Sequence, residues 1–253
     1  MKEETGREKE TMKKYIIVPL AAIFLLVAGI FVYIGNYYHA SEAAMAMVET
    51  PAEDLCLTVD LEGRMIFEPD VPAESGIIFY PGGKVQAESY VPLLSALAEE
   101  GILTVLVPMP ANLAVLDVKA ADGIVEEFDY IKDWYMAGHS LGGSMAASYL
   151  EKQAGVDAFE GLILLGSYSA VDLSQSSYEV LTIYGDQDGV MDKAKYEECY
   201  DNLPVNLTYE NIIKGGNHSQ FGDYGHQKGD GKASITGKEQ IRQTVEAVVE
   251  FVE

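Results

Sequence analysis

Ser140 is the residue whose surroundings most directly suggest chemistry. It is the centre of Gly138-His139-Ser140-Leu141-Gly142, which follows an apolar run and precedes a stretch rich in small residues. A serine on a tight turn between a strand and a helix holds a strained backbone that projects its hydroxyl, and flanking glycines avoid collisions there. The pattern therefore predicts a nucleophile, with the Leu141 N–H and the helix N-terminus placed to stabilise an oxyanion.

A nucleophilic serine needs a base, and the base needs an acid that orients it. Both residue types occur later in the chain, each in a loop after a predicted strand. Residues 179–184 lead to Asp188, and residues 207–213 lead to His218. The predicted catalytic residues are therefore Ser140, Asp188 and His218.

Two of these assignments leave an alternative open. Asp186 lies in the same turn as Asp188 and is an alternative for the acid, although a turn-forming role also suits it. His226 lies eight residues after His218 in a glycine-rich loop and is the alternative for the base. Residues 227–232 follow, and either contact the substrate or shape this loop.

The elements that must position these residues alternate along the chain. Several short runs are apolar on both faces, which is typical of a parallel sheet covered by helices. An antiparallel hairpin is expected first, over residues 55–60 and 64–68. Helices are predicted at 87–100, 113–128, 141–153, 191–202 and 236–253. The predicted fold class is α/β, a doubly wound and mostly parallel sheet of seven or eight strands.

The serine motif, the chain order of the three predicted residues and the alternating elements resemble the α/β-hydrolase superfamily, in particular its small, lidless, dienelactone-hydrolase-like members. The resemblance covers about residues 55–253. Where that superfamily carries His-Gly-x after its third strand, this chain has Pro81-Gly82-Gly83-Lys84. The resemblance implies an oxyanion hole formed by the N–H groups of Gly83 and Leu141. The proline in place of histidine leaves Lys84 as an alternative to Gly83.

The resemblance also suggests how substrate is admitted. Larger hydrolases insert a cap where this chain has residues 167–177, which form a short stretch rich in serine and tyrosine. An open cleft is expected, bordered by Tyr168 and part of residues 109–114. The predicted function is a serine hydrolase that forms an acyl-enzyme from a carboxylic ester or thioester. A non-catalytic binding domain of the same fold and an acyltransferase are the alternatives.

The N-terminus predicts a membrane segment. Residues 16–34 carry no charge, and such a run is long enough to cross about 30 Å of hydrocarbon as a helix. Lys and Arg are frequent in residues 1–14 and absent between the run and Arg64, which predicts that the N-terminus is cytoplasmic and the catalytic domain extracellular.

The predicted organisation has four parts. They are a cytoplasmic tail over 1–14, a transmembrane signal anchor in the cell membrane over 15–35, a tether over 36–54 and the hydrolase domain over 55–253. The alternative is a secreted protein, cleaved from a signal peptide near Ala40 or Ala46.

Composition limits the partners. The formal net charge is −23, and the chain beyond residue 14 carries −24, so the domain should repel nucleic acid and favour a neutral or cationic small-molecule acyl substrate. No metal motif or phosphate loop is visible, and we expect no cofactor. Cys56 and Cys199 are the two cysteines, and an extracellular location permits but does not require a disulfide between them. The sequence does not indicate an oligomeric state.

Overall fold

The computed structural model describes residues 2–51, 55–153 and 158–253. The chain forms two compact units, Met1–Tyr37 and Tyr38–Glu253. The first unit contains one long helix, α1, Lys2–Gly35. Its stretch Val18–Gly35 has a mean hydropathy of 2.5 and is 0% buried, so it is long and apolar enough to cross a membrane. A signal sequence near an N-terminus has the same properties.

The second unit is built on one eight-stranded sheet with the order β1-β2-β4-β3-β5-β6-β7-β8. Strand β2 pairs antiparallel with β1 and β4, and all other neighbours are parallel. The predicted hairpin and the mostly parallel sheet are therefore confirmed. The strands are β1 Leu55–Val59, β2 Met65–Pro69, β3 Ser75–Tyr80, β4 Leu103–Leu106, β5 Asp133–His139, β6 Phe159–Leu165, β7 Glu179–Gly185 and β8 Thr208–Ile213.

Helices cover both faces of this sheet, so the central strands are apolar on both sides. On β3, Ile77 joins a core that includes Val248 of α7, and the next residue, Ile78, joins a core that includes Leu150 of α5. The α-helices of this unit are α2 Glu42–Glu49, α3 Val91–Glu99, α4 Ile124–Glu127, α5 Leu141–Lys152, α6 Lys193–Tyr200 and α7 Gly237–Val252. Thr236 caps α7 by accepting a hydrogen bond from the Glu239 N–H.

The prediction of one helix over residues 113–128 was wrong. This region contains a 3₁₀ turn at Ala114–Leu116 and the four-residue helix α4. The buried Tyr80 hydroxyl donates to the Val118 carbonyl and accepts from the Ala121 N–H, each at 2.9 Å. These main-chain groups are therefore held by a tyrosine on the sheet and not by helical hydrogen bonds.

The segment predicted as a tether, 36–54, contains a helix. Ser41 caps α2 by accepting a hydrogen bond from the Ala44 N–H at 3.0 Å, and Ala44 is fully buried. Residues 52–54 lie outside the described residues. The stretch from residue 38 to the end of α2 therefore belongs to the compact second unit.

Two contacts hold this stretch to loops beside the candidate site. The Tyr38 N–H donates to the Lys84 carbonyl at 2.7 Å. The Ser41 hydroxyl donates to the Asp223 carboxylate at 2.5 Å. The loop after β3 and the loop after β8 are thus bridged by residues that lie before the first strand.

Candidate active site

Ser140 lies on the turn between β5 and α5, with φ 53° and ψ −121°. A residue with a side chain rarely adopts positive φ, so this backbone is strained and must be held by its surroundings. The Ser140 N–H donates to the Leu165 carbonyl at 2.9 Å, and the Ser167 hydroxyl donates to the Ser140 carbonyl at 2.6 Å. The side chain is half-buried, which leaves it partly open to solvent.

The glycines of the motif allow α5 to approach the sheet closely. A Cβ on Gly142 would lie 2.1 Å from the Tyr80 carbonyl oxygen, and a Cβ on Gly138 would lie 2.5 Å from the Gly142 carbonyl carbon. Both contacts are with backbone, which cannot move aside cheaply. The Gly-x-Ser-x-Gly spacing is therefore required by backbone contact on each side of the serine.

Asp188 and His218 form a buried hydrogen-bonded pair. They are 4% and 1% exposed, and His218 Nδ1 lies 2.8 Å from Asp188 Oδ2. The other oxygen of Asp188 accepts hydrogen bonds from the Val190 and Met191 N–H groups, each at 2.8 Å. Because an ionised carboxylate only accepts, the proton of His218 belongs on Nδ1. Nε2 is then left with a lone pair that can receive a proton.

His218 Nε2 is buried and has no hydrogen-bond partner within the described part of the chain. A hydrogen bond between the Ser140 hydroxyl and Nε2 is therefore not formed in this structure. Such bonds are often long in a free enzyme and shorten when substrate binds. The ring of His139, the residue before Ser140, lies with its centroid 4.4 Å from that of His218, so His218 is adjacent to the Ser140 turn.

The two alternative residues do not take part in this pair. Asp186 is exposed, and its carboxylate accepts a hydrogen bond from the Gly215 N–H at 2.8 Å. That hydrogen bond lowers the pKa of Asp186 below its usual value. His226 is exposed. The structure therefore brings Asp188 and His218 together, and gives Asp186 the turn-forming role.

The loop after β3 supplies candidate donors for an oxyanion. The Lys84 N–H donates to the Asn112 carbonyl at 2.7 Å, whereas no acceptor for the Gly83 N–H is found among the described residues. A Cβ on Gly83 would lie 2.9 Å from Leu141 Cδ2, so Gly83 is next to the first residue of α5. Of the two alternatives, the geometry favours Gly83.

Asp230 ties together the loops that carry Asp188 and His218, a role that no local pattern in the sequence predicted. Oδ1 accepts from the Gly189 and His218 N–H groups, both at 3.2 Å, and Oδ2 accepts from the N–H and hydroxyl of Ser219, both at 2.8 Å. Burial raises the pKa of Asp230, but these hydrogen bonds outweigh burial and hold the pKa below its usual value. Residues 227–232 thus shape the loop through Asp230.

Gln240 of α7 supports the same loop from the opposite side. Its fully buried side chain accepts from the Asn217 N–H at 2.9 Å and donates to the Asn217 carbonyl at 2.7 Å. Asn217 directly precedes His218. The oxygen and the nitrogen of the Gln240 side-chain amide are both used, so the backbone that leads into His218 is held by a satisfied buried contact.

We expect Asp230→Ala to lower the free energy of unfolding by about 2 kcal/mol at neutral pH, because several loop N–H groups lose their acceptor. A carboxylate whose pKa is lowered in the folded state stabilises the protein above its unfolded pKa, near 4, and this contribution is lost as the pH falls through the folded value. The deficit should therefore shrink on acidification. Urea unfolding at pH 7 and pH 3 measures it.

Asp172→Ala is the matched control for this substitution. Asp172 is exposed and accepts a hydrogen bond from the Ser174 N–H within its own turn. A loss in Asp230→Ala that is no larger than in this control, or that is unchanged at pH 3, would contradict the role given to Asp230.

The remaining loops and the two cysteines lie as follows. Residues 109–114 border the loop after β3, because the Asn112 carbonyl accepts from the Lys84 N–H. The Tyr168 carbonyl accepts from the Ser144 hydroxyl at 2.7 Å. Cys56 is exposed, Cys199 is buried, and both are free thiols. Among the residues whose side chains are described, no group of three or more His, Cys, Asp or Glu is arranged to hold a metal ion.

Comparisons with solved structures show the same fold in several esterases and in a lipase. Paleococcus ferrophilus monoacylglycerol lipase is 16% identical, with a TM-score of 0.57 over 78% of this chain and 99% of its own. Carboxyl esterase 2 of Tuber melanosporum is 12% identical, with a TM-score of 0.58 over 85% and 90%. A bacterial heroin esterase is 14% identical, with a TM-score of 0.58 over 83% and 89%. At these identities the likeness shows the fold alone.

Comparison with family models gives a match that covers more than half of the sequence. No curated protein matches the chain significantly. The model described as the alpha/beta hydrolase family matches residues 76–242, a range that contains the serine turn and the loops that carry Asp188 and His218. The chain therefore belongs to the alpha/beta hydrolase family.

Proposed function

We propose that this protein is a serine hydrolase that cleaves carboxylic esters or thioesters through an acyl-enzyme. The observation that carries the proposal is the buried hydrogen bond between Asp188 and His218, next to the strained turn of Ser140. A serine, a base and an orienting acid are the three groups that this chemistry requires. Membership of the alpha/beta hydrolase family supports the assignment.

In the proposed reaction, the Ser140 oxygen attacks the substrate carbonyl carbon while its proton moves to His218 Nε2. Asp188 holds the Nδ1 proton and stabilises the imidazolium that forms. The N–H groups of Gly83 and Leu141 stabilise the oxyanion. Collapse of the tetrahedral intermediate breaks the bond to the leaving group, which takes the proton from Nε2. Water then repeats these steps on the acyl-enzyme and releases the acid.

The substrate class is a small neutral or cationic acyl compound. The described residues between β6 and β7 form no helix or strand, which supports the lidless, dienelactone-hydrolase-like subtype and an open site. The three similar structures named above are, by their names, a lipase and two esterases. The formal net charge of −23 disfavours polyanionic substrates.

The proposal places the protein in the cell membrane, with the catalytic domain outside. The apolar stretch Val18–Gly35 supports a membrane span, and the basic residues before it support a cytoplasmic N-terminus. Cleavage near Ala46 would cut within α2 and remove the contact between Ser41 and Asp223. Cleavage near Ala40 would remove Tyr38, whose N–H donates to the Lys84 carbonyl. An uncleaved anchor therefore suits the fold better than secretion does.

Covalent labelling of the full chain in detergent tests the function. We expect a fluorophosphonate to modify the protein stoichiometrically, and mass spectrometry to locate the adduct on Ser140, because an activated serine attacks phosphorus as it attacks a carbonyl. Ser140→Ala should abolish labelling. Ser148→Ala, a change of a serine within α5 whose hydroxyl donates to the Ser144 carbonyl, should leave it intact.

Two outcomes would redirect the proposal. A folded chain that takes no label would favour a non-catalytic binding domain. A labelled chain that gives mainly transfer products when alcohols or amines are added to an ester substrate would favour an acyltransferase on the same residues.

A further inference from the structure

We propose that Tyr90 and His139 form a positioning pair that fixes the oxyanion loop against the nucleophile and the base. The proposal rests on the function proposed above, because it concerns the same site. Neither residue carries out a chemical step in that mechanism. Both are fully buried, Tyr90 in the turn that leads into α3 and His139 at the end of β5.

The Tyr90 hydroxyl forms hydrogen bonds with both Gly82 and His139. The Gly82 N–H donates to the Tyr90 hydroxyl oxygen at 3.0 Å, and the same hydroxyl lies 2.8 Å from His139 Nδ1. A phenol has one proton. If Nδ1 of His139 also carried a proton, the phenol proton would have no acceptor among the described residues, so we assign the phenol as the donor and an unprotonated Nδ1 as the acceptor.

The pair thereby connects three parts of the active site. Gly82 directly precedes Gly83, the proposed oxyanion donor, and His139 directly precedes Ser140. The His139 ring packs on that of His218, with centroids 4.4 Å apart. A Cβ on Gly82 would lie 2.7 Å from the Tyr90 hydroxyl and 2.8 Å from His139 Nδ1, so the loop is in direct contact with both members.

Burial keeps both members neutral. It raises the pKa of Tyr90 well above its usual value. It also lowers the pKa of His139 well below its usual value, and the neighbouring His218 adds to this effect. Phe79 and Phe221 flank the pair, with ring centroids 5.0 Å from Tyr90 and 5.5 Å from His139. The Tyr90 hydroxyl makes both of its hydrogen bonds in apolar surroundings, which leaves this hydroxyl few alternative arrangements.

The position of the Gly83 N–H determines how well the proposed transition state is stabilised. The bond to Tyr90 turns the Gly82 N–H towards the interior, while the neighbouring Gly83 N–H has no acceptor among the described residues. Oxyanion donors act on charge that develops during the reaction, and a small displacement of such a donor has a large effect on rate. Loss of the pair should therefore lower kcat and leave KM nearly unchanged.

Tyr90→Phe in the full chain is the primary test. We expect kcat for a soluble activated ester to fall about 10- to 100-fold with KM within about twofold. The inhibition constant of a trifluoromethyl ketone, which forms a tetrahedral adduct, should rise by the same factor as kcat falls. Tyr196→Phe is the matched control, because its buried hydroxyl also makes two hydrogen bonds, with Thr182 at 2.9 Å and Glu210 at 2.6 Å.

Two variants of His139 test the other member. An asparagine oxygen can occupy the place of Nδ1 and accept from Tyr90, whereas leucine cannot. We expect His139→Asn to recover most of the kcat that His139→Leu loses. Because the two residues act as one unit, Tyr90→Phe combined with His139→Leu should lose little more than either single change.

The outcomes separate this inference from the function beneath it. If the unmodified chain neither hydrolyses esters nor reacts with the fluorophosphonate, the proposed function fails. If it is active and Tyr90→Phe behaves like Tyr196→Phe, or if kcat and the trifluoromethyl ketone affinity do not change together, the positioning role is overturned. If Tyr90→Phe does not fold, the comparison of His139→Asn with His139→Leu decides, and equal activity in the two overturns it.

Discussion

Replacing His218 by alanine is expected to lower kcat for an activated ester by about 10⁴- to 10⁶-fold. Among the described residues, the His218 imidazole is the one group that is both oriented by a buried carboxylate and adjacent to the Ser140 turn. Without it, the serine hydroxyl has no base to take its proton and the leaving group has no acid to supply one. Steady-state hydrolysis by the full chain, with active sites counted by fluorophosphonate labelling of the unmodified enzyme, measures the loss.

His226→Ala is the matched control, because it removes an imidazole from the same region of the chain. His226 is exposed, and the structure gives it no part in the buried pair. We expect kcat and KM within about twofold of the unmodified chain, as for most surface substitutions. A large loss in His226→Ala together with a small one in His218→Ala would exchange the two assignments and refute the mechanism.

Local sequence patterns predicted the strands, turn and loops that position this site, because each pattern depends on residues close in sequence. The turn at Ser140 needs glycines two residues away on each side, and the strand before it and the small residues after it are visible in the sequence. A loop after an apolar run marks the carboxyl end of a strand, and Asp188 and His218 were each predicted from such a loop. The mostly parallel sheet and the family are confirmed.

Contacts between distant residues were not predictable in this way. The Tyr80 hydroxyl forms hydrogen bonds with main-chain groups of Val118 and Ala121, and the predicted helix over 113–128 does not form. Nothing in the local sequence marks such competition, because the apolar spacing there is compatible with a helix. The helix within residues 36–54 was missed for a similar reason, since the partner of Ser41 is Asp223, 182 residues further along the chain.

The supporting residues of the site share this limitation. Asp230 contacts Gly189 across 41 residues, and Tyr90 contacts His139 across 49. An aspartate in a glycine-rich loop and a tyrosine at the start of a helix are both common and have simpler interpretations. Their roles depend on loops meeting at the sheet edge, and so become visible when the fold is known.

Asp188→Asn is expected to lower kcat by about 10⁴-fold while the fold and KM are largely kept. The asparagine oxygen can still accept from the Val190 and Met191 N–H groups, so the loop keeps its hydrogen bonds. The amide nitrogen then faces His218 Nδ1 and donates to it. The ring must carry its proton on Nε2, where it cannot receive one from Ser140. Steady-state kinetics and thermal unfolding of the same preparation separate this effect from loss of fold.

Asp186→Asn makes the same chemical change two residues away. It is the control that separates the effect on the His218 tautomer from the loss of a negative charge. Its side-chain oxygen can keep the hydrogen bond from the Gly215 N–H, so the turn is preserved, and no imidazole faces the new amide. We expect kcat within about twofold of the unmodified chain. Equal losses in the two variants would mean that negative charge on this loop matters, and not the orientation of His218. A loss confined to Asp188→Asn follows if the carboxylate selects the tautomer in which Nε2 is the base.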